Sequence, residues 1–265
     1  MKKCLYILAS LFLLSGCKKV INLNLDNKSG TIVIEGNVTN QPGPYYVRIT
    51  RSVPFTAVNQ YPAISNALVM ISDNKGQNDT LKYVSDGRYR TNRLVTVPGN
   101  TYRLQVTGDG LSYNSESTMP ETVELNGLVL DSFKFGATTS YSLLPVFTDP
   151  LSLGDRYLFI LSVNGAKERT FQTFSDNFNN GKVNQRPLII PANGDEDVKI
   201  GDTIHVEMQS IDQNIYTYYT ALDEISNSGG PGGSVTPANP PGNISNGALG
   251  YFSAHTSILR SVVIK

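Results

Sequence analysis

Short segments of alternating apolar and polar residues, separated by turn sequences, recur along most of this 265-residue chain. The run Thr31–Thr39 is rich in β-branched residues, QPGP (41–44) is a turn sequence, and Tyr45–Arg51 alternates again. Alternation with a period of two is typical of strands that bury one face. Because such strands follow one another without intervening helices, the sequence predicts an all-β, Ig-like or transthyretin-like antiparallel sandwich over residues 30–119.

The sequence Met119-Pro120-Glu121 interrupts this pattern, since proline disfavours both helices and central strands. A second β-rich, sandwich-like domain is predicted over residues 120–265, with one helix at 213–227 capped by Asp212. Residues 226–246 are rich in Gly, Pro, Ser and Asn and are predicted to form a long loop. The remaining C-terminal residues, 248–256 and 257–264, are expected to form a hairpin or two paired strands.

The N-terminus has the pattern of a secretory signal that ends in a lipidated cysteine. Lys2 and Lys3 precede an apolar stretch, and the run Leu14-Ser15-Gly16-Cys17 closes it. The stretch is about half as long as the roughly 20 apolar residues that span a bilayer, which disfavours a membrane helix. We therefore expect residues 1–16 to be a signal peptide and Cys17 to carry lipid. Residues 17–29 would then be a tether and an entering strand.

Cysteine content and charge exclude several functional classes. The two cysteines are Cys4, in the predicted signal, and Cys17, so the mature domain would hold no free thiol for disulfides or thiolate chemistry. Without the signal the chain carries 20 basic and 22 acidic residues, and it has no basic stripe. Because nucleic-acid binding depends on clustered positive charge, no nucleic-acid partner is expected.

The histidines are the first candidates for chemistry. His205 and Glu207 alternate within the segment Thr203–Ser210, so they should share one face of a strand, where they could hold a metal or form a dyad. His255 lies in the C-terminal strand region. A solvated strand face explains the first pair equally well, and no familiar hydrolase, nucleotide or zinc motif occurs. The sequence therefore predicts no catalytic residue, no metal and no cofactor.

Acidic and aromatic clusters leave alternatives open. The sequences DNKGQND (73–79) and Asp195-Glu196-Asp197 could offer oxygen ligands to calcium, but their composition also suits hairpin turns. Five tyrosines could contribute to a partner surface or pack in the core; they are Tyr45, Tyr46, Tyr216, Tyr218 and Tyr219.

Two stretches are similar to a lipoprotein family of Bacteroidota, the domain-of-unknown-function family 4249. They are VIEGNVTNQPGPYYVRITR (33–51) and residues 202–254, which end in ANPPGNISNGALGYFSA. The resemblance implies an outer-membrane lipoprotein encoded beside TonB-dependent transporters, and it carries over no catalytic residue. Members exported to the cell surface show acidic residues after the cysteine, whereas Lys18 and Lys19 follow here, so the periplasmic and surface faces both stay open.

These observations lead to one hypothesis and two alternatives. The leading hypothesis is a non-enzymatic, lipid-anchored cell-envelope protein that binds a TonB-dependent transporter and its lipoprotein partner. A surface adhesive or structural lipoprotein is the first alternative. A glycan or peptide hydrolase that uses carboxylates, such as Glu207 and Asp195, is the second.

Overall fold

The computed structural model shows an all-β protein with one helix, which confirms the predicted fold class. It describes residues 30–54, 57, 60–108, 110–135, 138–166, 170–176, 180–190, 198–227 and 239–265. For residues 133–135, 138–140 and 227 only the backbone is described. Cys17 and the sequence 195–197 lie outside these ranges. In the part of the chain that is described, no helix is long and apolar enough to cross a membrane.

The first half forms strands at the places where the sequence alternates. These are β1 (Ile32–Thr39), β2 (Tyr46–Arg51), β3 (Leu68–Asp73), β4 (Asn78–Thr80), β5 (Lys82–Ser85), β6 (Arg88–Arg90), β7 (Thr101–Gly108) and β8 (Leu111–Thr118).

The chain changes sheets between β4 and β5. Strand β4 pairs with β3, whereas β5 pairs with β6. Between them Leu81 is buried, and its N–H donates to the carbonyl of Val69 at 2.9 Å. The chain therefore leaves the four-stranded sheet and enters the eight-stranded one at Leu81.

The second half contains the remaining elements. These are β9 (Gly127–Phe135), β10 (Thr138–Val146), β11 (Arg156–Val163), β12 (Thr170–Ser175), β13 (Thr203–Ser210), α1 (Gln213–Asn227) and β14 (Leu249–Val263).

The helix α1 has the predicted bounds and the predicted cap. The Asp212 carboxylate accepts a hydrogen bond from the Ile215 N–H at 3.0 Å, which satisfies one of the free donors of the first turn. The side chain of Ile215 is buried against Leu158 and Ile211, so the helix packs on strand β11. A capping aspartate followed by apolar residues at helical spacing was sufficient to predict this element.

Strand β14 crosses the molecule and joins its two halves. Its residues 249–255 pair in parallel with β1, and residues 256–263 pair antiparallel with β13. The predicted hairpin or strand pair over residues 248–264 was therefore wrong, since one continuous strand takes both partners. As a result an eight-stranded sheet runs in the order β12-β11-β13-β14-β1-β2-β6-β5.

Two large hydrophobic clusters lie on either side of this crossing. The first contains Ile34, Val47 and Tyr102, and it also contains Phe252 and Ala254 from β14. The second is built on residues of β11 and β13, and the later β14 residues Ile258 and Val262 pack against it. The division of the chain near residue 119 stays a prediction, while residues 244–254 contribute to the first core.

Candidate functional site

The structure places His205 and Glu207 on the same face of β13, as the alternation predicted. Both line a cavity of about 340 Å³ that opens beside Leu259 on β14. Each is bonded to a serine of β14: His205 Nδ1 lies 2.8 Å from Ser261 Oγ, and Glu207 Oε1 accepts from Ser257 Oγ at 2.8 Å. These bonds tie β13 to β14. No hydrogen bond between His205 and Glu207 occurs among the described contacts.

His255 lies inside the molecule at the point where β14 changes partners. Its side chain is 3 % exposed, and its Nδ1 lies 2.8 Å from Ser253 Oγ. Burial lowers the pKa of His255 to about 4, because the low-dielectric surroundings disfavour the imidazolium, while the charge of Glu207 acts in the opposite direction. The ring is therefore neutral at pH 7 and contributes a structural hydrogen bond.

The sequence 73–79, for which calcium binding and a hairpin turn were the alternatives, forms a hairpin turn held by Asp73. Asp73 accepts hydrogen bonds from the N–H groups of Lys75 and Gln77 at 2.9 and 2.8 Å. Burial raises the pKa of the Asp73 carboxyl, but these bonds outweigh it and the net shift is downward.

Asp79 is used in the same way. It accepts from the N–H groups of Asn92, Arg93 and Leu94 at 2.8 to 2.9 Å. Both carboxylates thus accept hydrogen bonds from backbone N–H groups, which agrees with the turn interpretation. The second acidic cluster, at 195–197, lies outside the described residues.

The tyrosines divide between core and surface. Tyr45 is buried and donates its hydroxyl to the carbonyl of Gln41 at 2.6 Å, whereas Tyr46 is 43 % exposed. Tyr218 and Tyr219 pack their rings on Tyr251 of β14, with centroid distances of 4.8 and 5.6 Å.

The aromatic contacts of the helix are mainly internal. Burial raises the pKa of Tyr218 to about 12 and raises that of Tyr219 as well. Tyr216 lies under the guanidinium of Arg156, whose carbon is 5.2 Å from the ring centroid. These side chains fasten α1 to the sheet, so they offer little surface to a partner.

The C-terminal end of the predicted loop 226–246 packs against strand β8. Residues 226–227 belong to α1, and residues 228–238 lie outside the described ranges. From Asn239 onwards the chain is described, and it runs along the edge of β8. The Ser245 N–H donates to the carbonyl of Asn114 at 2.9 Å, and the Ser115 hydroxyl donates to the carbonyl of Asn243 at 2.9 Å.

This segment, residues 242–245, forms one wall of a groove in the first half of the molecule. The other wall is the outer face of β3, β7 and β8, and the groove encloses about 680 Å³. It is lined by both apolar and charged side chains, including Met70, Arg103 and Glu116. Arg103 Nε donates to Glu116 Oε2 at 2.6 Å, and both side chains are more than half exposed. A groove of this size with mixed lining is suited to a ligand or to a segment of a partner.

Asn243 holds this wall in place. Its carboxamide donates to the carbonyl of Phe252 at 2.8 Å and accepts from the Phe252 N–H at 2.9 Å. Both bonds are partly buried, so their loss leaves polar backbone groups without partners.

We expect Asn243→Ala to lower the free energy of unfolding by about 2 kcal/mol, because two backbone groups of Phe252 lose their partner. Urea unfolding followed by circular dichroism measures the change. Asn78→Ala is the matched control, since Asn78 is exposed and makes one long bond, to the carbonyl of Gly76 at 3.3 Å. Equal effects of the two substitutions would contradict this role of Asn243.

Three aspartates that the sequence did not single out come together in the second half. Asp149, Asp155 and Asp176 each place one carboxylate oxygen within 4.8 Å of the others. Asp149 and Asp176 are buried, at 2 % and 5 % exposure. The only sequence signal is the spacing in DPLSLGD (149–155), which brings two carboxylates to the ends of a short loop; the third comes from 21 residues further on.

Comparison with known proteins identifies the family. The model of a family described as "Domain of unknown function (DUF4249)" matches residues 18–258. The chain belongs to this family. No curated protein matches its sequence. Among solved structures, a two-domain fibronectin type-III segment from chicken tenascin is similar at 11 % identity and a TM-score of 0.24. The match covers 69 % of this chain and 91 % of the tenascin segment.

The DUF4249 match includes the sequence 239–254, whose role is now visible. Gly242, Asn243 and Gly250 bring a coil segment, β14 and β1 into close contact. A Cβ atom on Gly242 would lie 2.2 Å from the Gly250 carbonyl oxygen, and a Cβ atom on Gly250 would lie 2.2 Å from that of Ile34. Residues that carry the resemblance to the family therefore lie where these three segments of this chain meet.

Proposed function

We propose that this DUF4249 protein is a non-enzymatic, lipid-anchored protein of the cell envelope that binds a partner through the groove between β3, β7, β8 and residues 242–245. The groove is the observation that supports binding, since it encloses about 680 Å³ and has mixed polar and apolar lining. The run ending at Cys17 supports lipid attachment at an outer membrane. Acyl chains on one cysteine would keep the protein at the membrane surface.

The more specific proposal is that the partner belongs to a TonB-dependent uptake system. This step rests on the resemblance of residues 33–51 and 202–254 to lipoproteins encoded beside such transporters. The groove supports it, because its open shape leaves the Arg103–Glu116 pair exposed to a partner. The lipid would supply proximity, and the groove would supply the specific contacts.

Affinity purification of the tagged, full-length protein from outer membranes in mild detergent tests this proposal. We expect a TonB-dependent transporter to be recovered in near-stoichiometric yield. Cys17→Ser should move the protein out of the membrane fraction, because the thiol that accepts lipid is gone. Recovery of the lipidated protein alone would contradict the transporter association. Turnover of a polysaccharide or peptide substrate by the purified protein would contradict the non-enzymatic assignment.

A pair of arginine substitutions tests the groove itself. Gln105→Arg places a long charged side chain among the groove residues. Thr107→Arg is the matched control, because it is exposed on the same face of β7 but does not line the groove. We expect the first to reduce co-purification at least about tenfold, the loss that roughly 1.4 kcal/mol produces, and the second to leave it unchanged. If Gln105→Arg and Thr107→Arg retained the partner equally well, the groove would be excluded as the contact surface.

A further inference from the structure

Two loops at one end of the second sandwich are held together around acidic side chains. Residues 149–155 lie between β10 and β11, and residues 176–182 follow β12. The Asp149 N–H donates to the carbonyl of Lys182 at 3.0 Å, and the Gly181 N–H donates to that of Pro150 at 3.0 Å. These bonds hold residues 149–150 beside residues 181–182, so the fold brings the two described loop segments together.

Each carboxylate of the cluster has one oxygen held by a neighbouring donor. Tyr157 donates its hydroxyl to Asp149 Oδ1 at 2.5 Å. Ser152 Oγ donates to Asp155 Oδ2 at 2.8 Å, and the Gly154 N–H donates to Asp176 Oδ2 at 2.5 Å. The side chains are therefore oriented before any ligand arrives, which lowers the entropic cost of binding one.

Two oxygens at this place have no partner. Throughout the described residues, the buried side-chain atoms without a hydrogen bond are Asp149 Oδ2 and Asn180 Oδ1. Both belong to the two loops, and Asp149 itself is 2 % exposed. A buried oxygen without a hydrogen-bond donor destabilises the folded state, and more so if it is charged. Both atoms are oxygens that accept hydrogen bonds, so a bound cation would supply the missing interaction.

Within the part of the chain that is described, no ion pair to a positive side chain involves the three aspartates; the pairs Arg88–Asp86 and Arg103–Glu116 lie elsewhere. Three carboxylates at this separation repel one another, and either a proton or a metal ion would relieve the repulsion.

We propose that Asp149, Asp155 and Asp176, with the carboxamide oxygen of Asn180, bind a calcium ion that ties the two loops together. Carboxylate and amide oxygens are the ligands that Ca²⁺ prefers, and Ca²⁺ accepts irregular geometry. Mg²⁺ demands a nearly octahedral site and keeps several waters. Zn²⁺ favours histidine and cysteine, and neither residue belongs to the cluster. The site lies apart from the groove, so its test does not depend on the proposed partner.

Thermal unfolding in the presence of calcium is the first test. We expect a dissociation constant on the order of 10⁻⁴–10⁻³ M, as in extracellular modules. At a hundredfold excess over that constant, Ca²⁺ should raise the melting temperature by about 5–10 °C, and Mg²⁺ should raise it less. Absence of any shift up to about 10 mM Ca²⁺ would overturn the proposal.

A matched pair of variants locates the binding. Asp176→Asn should abolish the calcium-dependent shift, whereas Asp131→Asn should keep it, because Asp131 is exposed on β9 and lies outside the cluster. Without calcium, Asp176→Asn should unfold at the same temperature as the wild type or higher, since one of the repelling charges is gone. Equal calcium shifts in the wild type and Asp176→Asn would show that calcium binds elsewhere and would overturn the assignment.

Terbium luminescence gives a readout that does not depend on stability. Tb³⁺ replaces Ca²⁺ at oxygen sites, and a tyrosine near the ion sensitises its emission. Tyr157 contacts Asp149 directly, so we expect sensitised emission that Ca²⁺ displaces and that Tyr157→Phe reduces by more than about half. Emission that is insensitive both to Tyr157→Phe and to added Ca²⁺ would contradict a site at these loops.

Discussion

We expect Gly250→Ala to prevent stable folding. Gly250 lies in β14 with a φ of +93°, in the left-handed region that costs other residues about 1–2 kcal/mol. In addition, a Cβ atom at this position would lie 2.2 Å from the carbonyl oxygen of Ile34, its register partner in β1. Because the obstructing atom belongs to the backbone, the strands would have to separate. Together these effects should cost at least about 4 kcal/mol, a large part of a domain's stability.

The neighbouring glycine provides the control. Gly247 also has a positive φ, of +71°, but a Cβ atom there would meet nothing within 4 Å. Gly247→Ala should therefore lower the free energy of unfolding by only about 1–2 kcal/mol, from the backbone conformation alone. Urea unfolding of both variants separates the two contributions. A stability of Gly250→Ala close to that of Gly247→Ala would show that β1 and β14 can move apart without large cost.

Acidification should destabilise the protein through His255. Its pKa in the folded protein, about 4, lies below the ordinary value of 6.5, so the unfolded chain takes up the proton first. Stability from the neutral ring is therefore complete above pH 6.5 and is lost as the pH falls toward 4. The shift corresponds to a loss of about 3 kcal/mol between pH 7 and pH 4.

Measuring the free energy of unfolding across this pH range, for wild type and His255→Gln, tests the effect. The variant cannot titrate at this position, so its stability should change by about 3 kcal/mol less than that of the wild type. His205→Gln is the matched control, because it makes the same substitution at the other histidine of the chain, which lies partly exposed on β13. Identical pH profiles for wild type and His255→Gln would mean that the buried imidazole is not the titrating group.

Both experiments concern strand β14, which takes part in both halves of the molecule. Gly250 lies where β14 pairs with β1, and His255 lies just before the strand turns to β13. The residues around the crossing, from Phe252 to Ser257, are all buried. The C-terminal sequence of this chain thus lies where the two halves of the eight-stranded sheet meet. Binding is proposed to use its neighbour, the groove wall at 242–245.

Local patterns in the sequence were sufficient for most strands and for the helix. Alternation gave β1 and β2 to within one residue and β13 its full bounds, and Asp212 with its following apolar residues gave α1. Alternation also placed His205 and Glu207 on one face. These features depend on residues that are near one another in the chain, and the periodicity of apolar side chains reports them directly.

Features that join distant residues could not be read from the sequence. The sequence of residues 248–264 suggested two strands. Periodicity reports which residues alternate but not which strands they pair with, so it could not show that one strand pairs with β1 along its first half and with β13 along its second. The sequence left calcium binding by the carboxylates of 73–79 open beside a hairpin turn, and the structure satisfies Asp73 and Asp79 with backbone donors. It leaves Asp149 Oδ2, in a different loop, without a partner.

The sequence alone therefore determined the class of the fold, most of its elements and the expected signal at residues 1–17. Only the tertiary structure decided which strands share a sheet, where the groove lies, and which aspartates meet. The physical reason is that propensity and periodicity act over a few residues, whereas strand pairing, burial and the clustering of charges depend on contacts between segments more than 20 residues apart, as between Asp149 and Asp176.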